Sequence, residues 1–425
     1  MHRDAEGLRR HELAARTEEL PQQVLLAAIR VAVHSPTVLI VRCAVPVPAG
    51  TSVAGALDAP GRTQDDRDIQ PARAGRPTKG LPMTRRVLVS GGSGFIAGHL
   101  ILQLLDSGAE VRATLRSLDR EPAVRTALRD AGMTRDDALA FTAADLLDDA
   151  GWARAMEGVD GVLHVASPVH LGPVTDEKQV IAPAREGTLR VLRAARDAGI
   201  GRAVVTSAFH AVGFGHPPLD RAFTEDDWSV LDGPGMDAYG RSKVLAERAA
   251  WEFAAGAGAG IELTTILPVA VVGPLIGDGL SGANNLVRRV LTGALPGYPD
   301  VAVPIVDVRD VAAAHIAALT ADGAAGERLL LTSQEDAVPL ADVGAALRSA
   351  LGDRAPRVPT ASLPSEVVRA AAQADPGLRP LADELGYRKK VSGEKARRIL
   401  GVRPRSWQEA VTAAGESMLA RGLGG

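Results

Sequence analysis

The feature that most constrains this chain is a short apolar run that stops at a cluster of glycines. Val87-Leu88-Val89-Ser90 carries no charge, Gly91-Gly92-Ser93-Gly94 follows at once, and Phe95-Ile96-Ala97-Gly98 opens the next segment. A continuous apolar run of this length reads as a strand covered on both faces. The glycines permit a tight turn and a close approach of backbone to ligand. Phe95–Asp106 then has the apolar spacing of an amphipathic helix. A strand, a glycine turn and a helix start, in that order, aim free N–H groups and the positive end of a helix dipole at one point. That point suits an anion such as a pyrophosphate. The spacing is Gly91-x-x-Gly94-x-x-Ala97, with alanine in the third place.

The same rhythm continues. Strands are predicted at Val111–Leu115, Leu139–Thr142, Val162–Val165, Ala203–Ser207 and Leu263–Leu267. Helices are predicted around Val124–Ala131, Trp152–Met156, Val180–Ala198 (despite Pro183) and Tyr239–Ala255. Such alternation implies an α/β fold: a doubly wound parallel Rossmann sheet. After about residue 275 the pattern loosens. Residues 83–274 are therefore expected to form the dinucleotide-binding domain. Residues 275–425 are expected to form mainly a smaller C-terminal substrate lobe, with 301–335 returning to the Rossmann core.

Composition removes several other classes. A net charge of −3 gives no basic field for nucleic acid. Cys43 is the only cysteine, so neither an intrachain disulfide nor a cysteine metal cluster can form, which fits a reducing cytoplasm. No histidine and carboxylate group has metal-ligand spacing, so no metal is expected. The apolar stretch Val24–Val47 is broken by Arg30, His34, Pro36 and Arg42 and makes a poor membrane span. Residues 1–82 are read as a disordered extension, with Met83 as the natural start. The partner expected is a small molecule, not nucleic acid or a membrane, and the chain is expected to be a monomer or a homodimer.

Chemistry is carried by a few polar residues. Arg116 follows the second predicted strand, about 20 residues beyond the last loop glycine, where an NAD-binding chain places an acid on the ribose. A guanidinium there pairs with a 2′-phosphate, which favours NADP(H); Arg120 and Arg125 add charge nearby. Asp145, with Leu146, either hydrogen-bonds adenine or caps a helix. Tyr239 and Lys243 stand four apart on a predicted helix and so share one face. With three tyrosines and six lysines in the chain, that spacing is informative. A neighbouring ammonium is expected to lower the phenol's pKa, letting Tyr239 hand a proton to a carbonyl oxygen as hydride arrives. Ser207 is the nearest candidate for a further hydroxyl on that oxygen, and Thr206 is the other.

These residues resemble the extended short-chain dehydrogenases/reductases, a group that includes NAD-dependent epimerases and dehydratases. Val111–Arg116, His164-Val165-Ala166-Ser167-Pro168, Pro183–Thr188, Asp307–Ala312 and Val391–Gly401 resemble in particular its dihydroflavonol 4-reductase, cinnamoyl-CoA reductase and aldehyde reductase branch. The resemblance implies that Gly91, Ser93, Gly94, Phe95 and Ile96 hold the pyrophosphate and that Arg116 meets the 2′-phosphate. It implies that Asp145 and Leu146 flank adenine, and that Val165, Ala166, Ser167, Tyr239 and Lys243 line the ribose and nicotinamide. Pro268 and Val271 would contact nicotinamide, and Ser281 a phosphate. The branch usually reads Thr-Ser-Ser where this chain reads Thr206-Ser207-Ala208, so its second serine is replaced by alanine. Either Ser207 moves into that role, or His210 or another donor replaces it, or activity is reduced. His210 and His216 lie on the loop before Tyr239; His164 and His315 read as core residues. The expectation is an NADPH-dependent reductase of an aldehyde or ketone. The alternatives are a nucleotide-sugar epimerase or dehydratase, against which Arg116 argues, and a non-catalytic NADP-binding sensor, against which the Tyr239 and Lys243 pair argues.

Overall fold

The computed structural model describes residues 86–167, 176–277, 279–280, 282–375 and 378–424. The expected extension over 1–82, its start at Met83, Pro168 and Ser281 lie outside them. The elements in order are β1 (Arg86–Val89), α1 (Phe95–Asp106), β2 (Glu110–Leu115), α2 (Glu121–Asp130), β3 (Leu139–Ala143), α3 (Trp152–Met156), β4 (Gly161–His164), α4 (Lys178–Asp197), β5 (Arg202–Thr206), α5 (Ala238–Ala255), β6 (Glu262–Pro268) and β7 (Ala270–Val272). Then come α6 (Asn284–Leu291), β8 (Ala302–Val303), β9 (Ile305–Asp307), α7 (Val308–Ala318), β10 (Arg328–Leu331), β11 (Val338–Pro339), α8 (Leu340–Leu351), α9 (Ser365–Ala374), α10 (Arg379–Asp383), α11 (Glu394–Leu400) and α12 (Trp407–Ala420).

Seven strands form one parallel sheet in the order β10-β6-β5-β4-β1-β2-β3. The chain starts in the middle, winds out to β3, then returns to β4 on the other side of β1. The order therefore reverses between β1 and β4, and a crevice opens there at the carboxyl ends of the strands. Both faces are covered. Leu100, Leu104 and Val311 belong to one apolar cluster, on the face of α1 and α7. Trp152, Val191 and Ala250 belong to another, on the face of α3, α4 and α5. Inward side chains alternate along each strand: Leu88 joins the second cluster, and Val87 and Val89 join the first.

Pro183 sits inside α4 without ending it. The C-terminal part does not stand wholly apart, since β10 is the edge strand of the main sheet and α7 packs on α1. The remaining C-terminal elements bury a separate apolar cluster containing Val287, Tyr298, Leu347 and Met418. Two small ladders, β7 with β9 and β8 with β11, accompany it. Among the described residues no helix is long and apolar enough to cross a membrane, and no group of three metal-ligating side chains converges.

Candidate active site

The glycine turn lies at the point where the strand order reverses. Gly91 adopts a φ of +69°, and a Cβ on it would stand 2.9 Å from the Cβ of Ala166, so both conformation and space call for glycine. Its N–H donates to Thr114 Oγ1 (3.0 Å), and the Gly92 N–H donates to the Thr114 carbonyl (2.8 Å). These bonds fix the turn over β2. Gly94 is the N-cap of α1, and no side chain caps it. The first-turn N–H groups at Phe95 and Ile96 are thus left for an anion, beside exposed Ser93 and Gly94.

Ser90, at the end of β1, organises the other wall. Its hydroxyl donates to His164 Nδ1 (2.8 Å) and accepts from the N–H groups of Val165 and Ala166 (3.0 Å each). Burial lowers the pKa of His164 to about 3, so its ring is neutral and can accept. His164, expected as a core residue, therefore helps set the backbone of Val165 and Ala166 against the glycine turn.

Arg116 is exposed directly after β2 and makes no ion pair with any described carboxylate. Arg125 does not add free charge there. It pairs with Glu121 (2.7 Å) and with Asp136, and its guanidinium lies 5.1 Å from the centre of the Phe141 ring. Asp145 Oδ1 accepts the Leu147 N–H (3.0 Å), a local turn that leaves its other carboxylate oxygen for a ligand. Leu146 packs against Gly187 of α4, where a Cβ would come within 2.9 Å of it. Pro268 is buried at the end of β6 and Val271 lies in β7; the intervening N–H groups of Val269 and Ala270 are taken by the carbonyls of Leu331 and Pro304.

Tyr239 and Lys243 occupy the first turns of α5. Asp237 caps that helix by accepting the Gly240 N–H (2.7 Å). Lys243 is buried, and its Nζ donates to Ser167 Oγ (3.0 Å), which brings α5 against the end of β4 next to the glycine turn. The same Nζ lies 5.4 Å from the centre of the Tyr239 ring. Desolvation lowers the Lys243 pKa to about 8, so the ammonium persists at neutral pH. The expected lowering of the phenol's pKa is not found. Desolvation in the cleft, with the Asp237 carboxylate, pushes it up to about 12. Tyr239 is still 42% exposed, which tempers the effect of burial; either way the phenol is protonated at neutral pH. The cost of placing a phenolate in a poorly solvated cleft, with the Asp237 carboxylate beside it, sets the direction.

Neither strand-end hydroxyl faces this cleft with a free hydrogen. Ser207 is buried and donates to Glu247 Oε2 (2.7 Å), which corrects its expected place on the substrate oxygen. Thr206 points to the other face of the sheet, where it meets His315 Nε2 (2.7 Å). His315 Nδ1 lies 2.7 Å from the Val311 carbonyl and must donate to it, so Nε2 accepts and the Thr206 hydrogen is used. Glu247, one helical turn beyond Lys243, also accepts from Thr265 (2.9 Å) and from Arg328 Nε (2.8 Å). This buried hub beneath α5 escaped the sequence reading. An acid set next to Arg248 among the alanines of Ala246–Ala250 was the available signal.

The NAD dependent epimerase/dehydratase family profile matches residues 87–331. Cinnamoyl-CoA reductase 1 of Arabidopsis thaliana is 35% identical over 256 residues, covering 59% of this chain and 72% of that one. Gre2 from Candida albicans, solved in complex with NADPH, superposes with a TM-score of 0.64 at 26% identity, covering 79% of this chain and 99% of that one. Vestitone reductase from alfalfa superposes with a TM-score of 0.62 at 25% identity, covering 80% and 99%.

Proposed function

Because the chain belongs to the NAD dependent epimerase/dehydratase family, we propose that it is an NADPH-dependent oxidoreductase that reduces the aldehyde or ketone group of a small organic molecule. One observation carries this reading: Tyr239 and Lys243 lie on one face of α5, and Lys243 is tied to Ser167 beside the glycine turn. A proton donor and a nucleotide cradle thus share one crevice. The resemblance to reductases, one of them solved with NADPH, supports it.

The residues of the crevice divide the work. Gly91, Ser93, Gly94, Phe95 and Ile96 present backbone N–H groups and a helix N-terminus to the pyrophosphate. Arg116 offers its unpaired guanidinium to the 2′-phosphate. Asp145 and Leu146 border the adenine, and Val165, Ala166, Ser167, Pro268 and Val271 border the ribose and nicotinamide. When bound, NADPH supplies a hydride to the carbonyl carbon. Tyr239 gives its phenolic proton to the carbonyl oxygen as negative charge builds there. Lys243 holds the cofactor ribose and favours the phenolate that Tyr239 becomes.

The test is NADPH consumption against a panel of aldehydes, ketones and diketones, run beside Arg116→Asp. Arg116→Asp is expected to cut the preference for NADPH over NADH by roughly 10–100-fold, the loss of one or two charge-assisted hydrogen bonds. An unchanged preference would show a guanidinium that is merely solvated. No consumption with any carbonyl would remove the reductase reading.

A further inference from the structure

An oxygen that gains negative charge is stabilised best by two donors, and the phenol of Tyr239 supplies only one. The hydroxyl hydrogens at the ends of β1 and β5 are already committed. Position 208 is alanine, Ser207 donates to Glu247, Thr206 donates to His315, and Ser90 donates to His164. Ser167 Oγ accepts from Lys243 Nζ, and its place in the proposed reading is beside the cofactor ribose rather than the substrate oxygen. His210 is different. It lies in the short helical turn Phe209–Ala211 directly after β5. Its ring stacks on Phe214 with centres 4.2 Å apart and planes 9° from parallel, and meets the Tyr239 ring at 4.9 Å and 81°. Lys389 Nζ stands 4.3 Å from the centre of the Phe214 ring. The imidazole is thus fixed in orientation beside the phenol, yet its nitrogens form no hydrogen bond with any described residue.

Resting on the reductase reading above, we infer that His210 stands in for the missing serine and donates a hydrogen bond to the carbonyl oxygen of the substrate. Burial, with the ammonium groups of Lys389 and Lys243, lowers its pKa to about 3, so the ring is neutral and carries one N–H. A neutral imidazole can polarise a carbonyl without giving up its proton. During reduction the proton that ends on the oxygen comes from Tyr239, and His210 keeps its own.

His210→Phe tests this, because it preserves a stacking ring and removes the N–H. The variant is expected to lower kcat/KM by about 10²–10³, the usual effect of losing one such donor. Its dissociation constant for NADPH and its melting temperature should stay at the wild-type values. Adding Ala208→Ser to His210→Phe should recover at least about tenfold, because a hydroxyl returns to where the family carries one. A merely structural histidine would gain nothing from that second change. His210→Gln, which keeps an N–H donor, should lose less than His210→Phe. Wild-type kcat in His210→Phe, or no recovery on adding Ala208→Ser, would overturn the inference. Tyr239→Phe is run in parallel. If it abolishes turnover while His210→Phe does not, only the role of His210 fails. If neither variant changes turnover, both residues leave the chemistry; if the wild-type protein consumes NADPH with no carbonyl, the reductase reading fails with the inference.

Discussion

Tyr239→Phe is expected to lower kcat by about 10²–10⁴, the span that positioned proton donors contribute. NADPH binding should be unchanged. Only the hydroxyl is lost, and in the proposed reading the nucleotide is held by the glycine turn, the start of α1 and Arg116, on the β1 and β2 side of the crevice. The ring of Tyr239 is partly exposed and borders His210, so phenylalanine fits the same space. The phenol is protonated near neutrality, the form a reductase needs, and Lys243 remains largely an ammonium there. Stopped-flow binding of NADPH and steady-state rates with one active carbonyl separate the two effects. Equal turnover in both proteins would remove Tyr239 from the chemistry.

Glu247→Ala is expected to destabilise the protein by about 3–5 kcal/mol, because breaking a buried ion pair leaves its partner charge without compensation. Glu247 is 2% exposed and joins four elements: its own α5, Ser207 just past β5, Thr265 on β6 and Arg328 on β10. Arg328 is held on its far side by the carbonyl of Asp227 (2.9 Å) and by the Trp228 ring, whose centre is 3.6 Å from the guanidinium, so it cannot swing out to water. The loss should appear as a fall in melting temperature on the order of 5–15 °C. Glu247→Gln keeps the shape and two acceptor lone pairs and should cost less. A melting temperature unchanged by Glu247→Ala would mean that the pair contributes nothing net.

Local chemistry was readable in the sequence, and long-range pairing was not. Strands β1 to β6 and helices α1, α4 and α5 show in the one-dimensional pattern because each carries its own apolar period and turn residues. The glycine turn and the Tyr239 and Lys243 spacing show for the same reason: their geometry is set within a few residues. The ladders of β7 with β9 and β8 with β11 are two or three residues long and join segments far apart, so no period announces them. Ser207 was misplaced because strand alternation turns it towards α5, where Glu247 waits 40 residues further on. The sign of the Tyr239 shift was misjudged because desolvation belongs to the assembled cleft, and sequence spacing carries no information on it. His210 stood out only as one of two loop histidines; its stacking on Phe214 needed coordinates.

The most direct test follows the hydride itself. NADPH deuterated at C4, prepared as each of the two stereoisomers, is incubated with the protein and an active carbonyl, and the product alcohol is weighed by mass spectrometry. One isomer should deliver its label to the carbonyl carbon, mole for mole with the cofactor oxidised. Label that stays on the cofactor with both isomers while product forms, as expected of an epimerase that returns its hydride to the same molecule, would contradict the account.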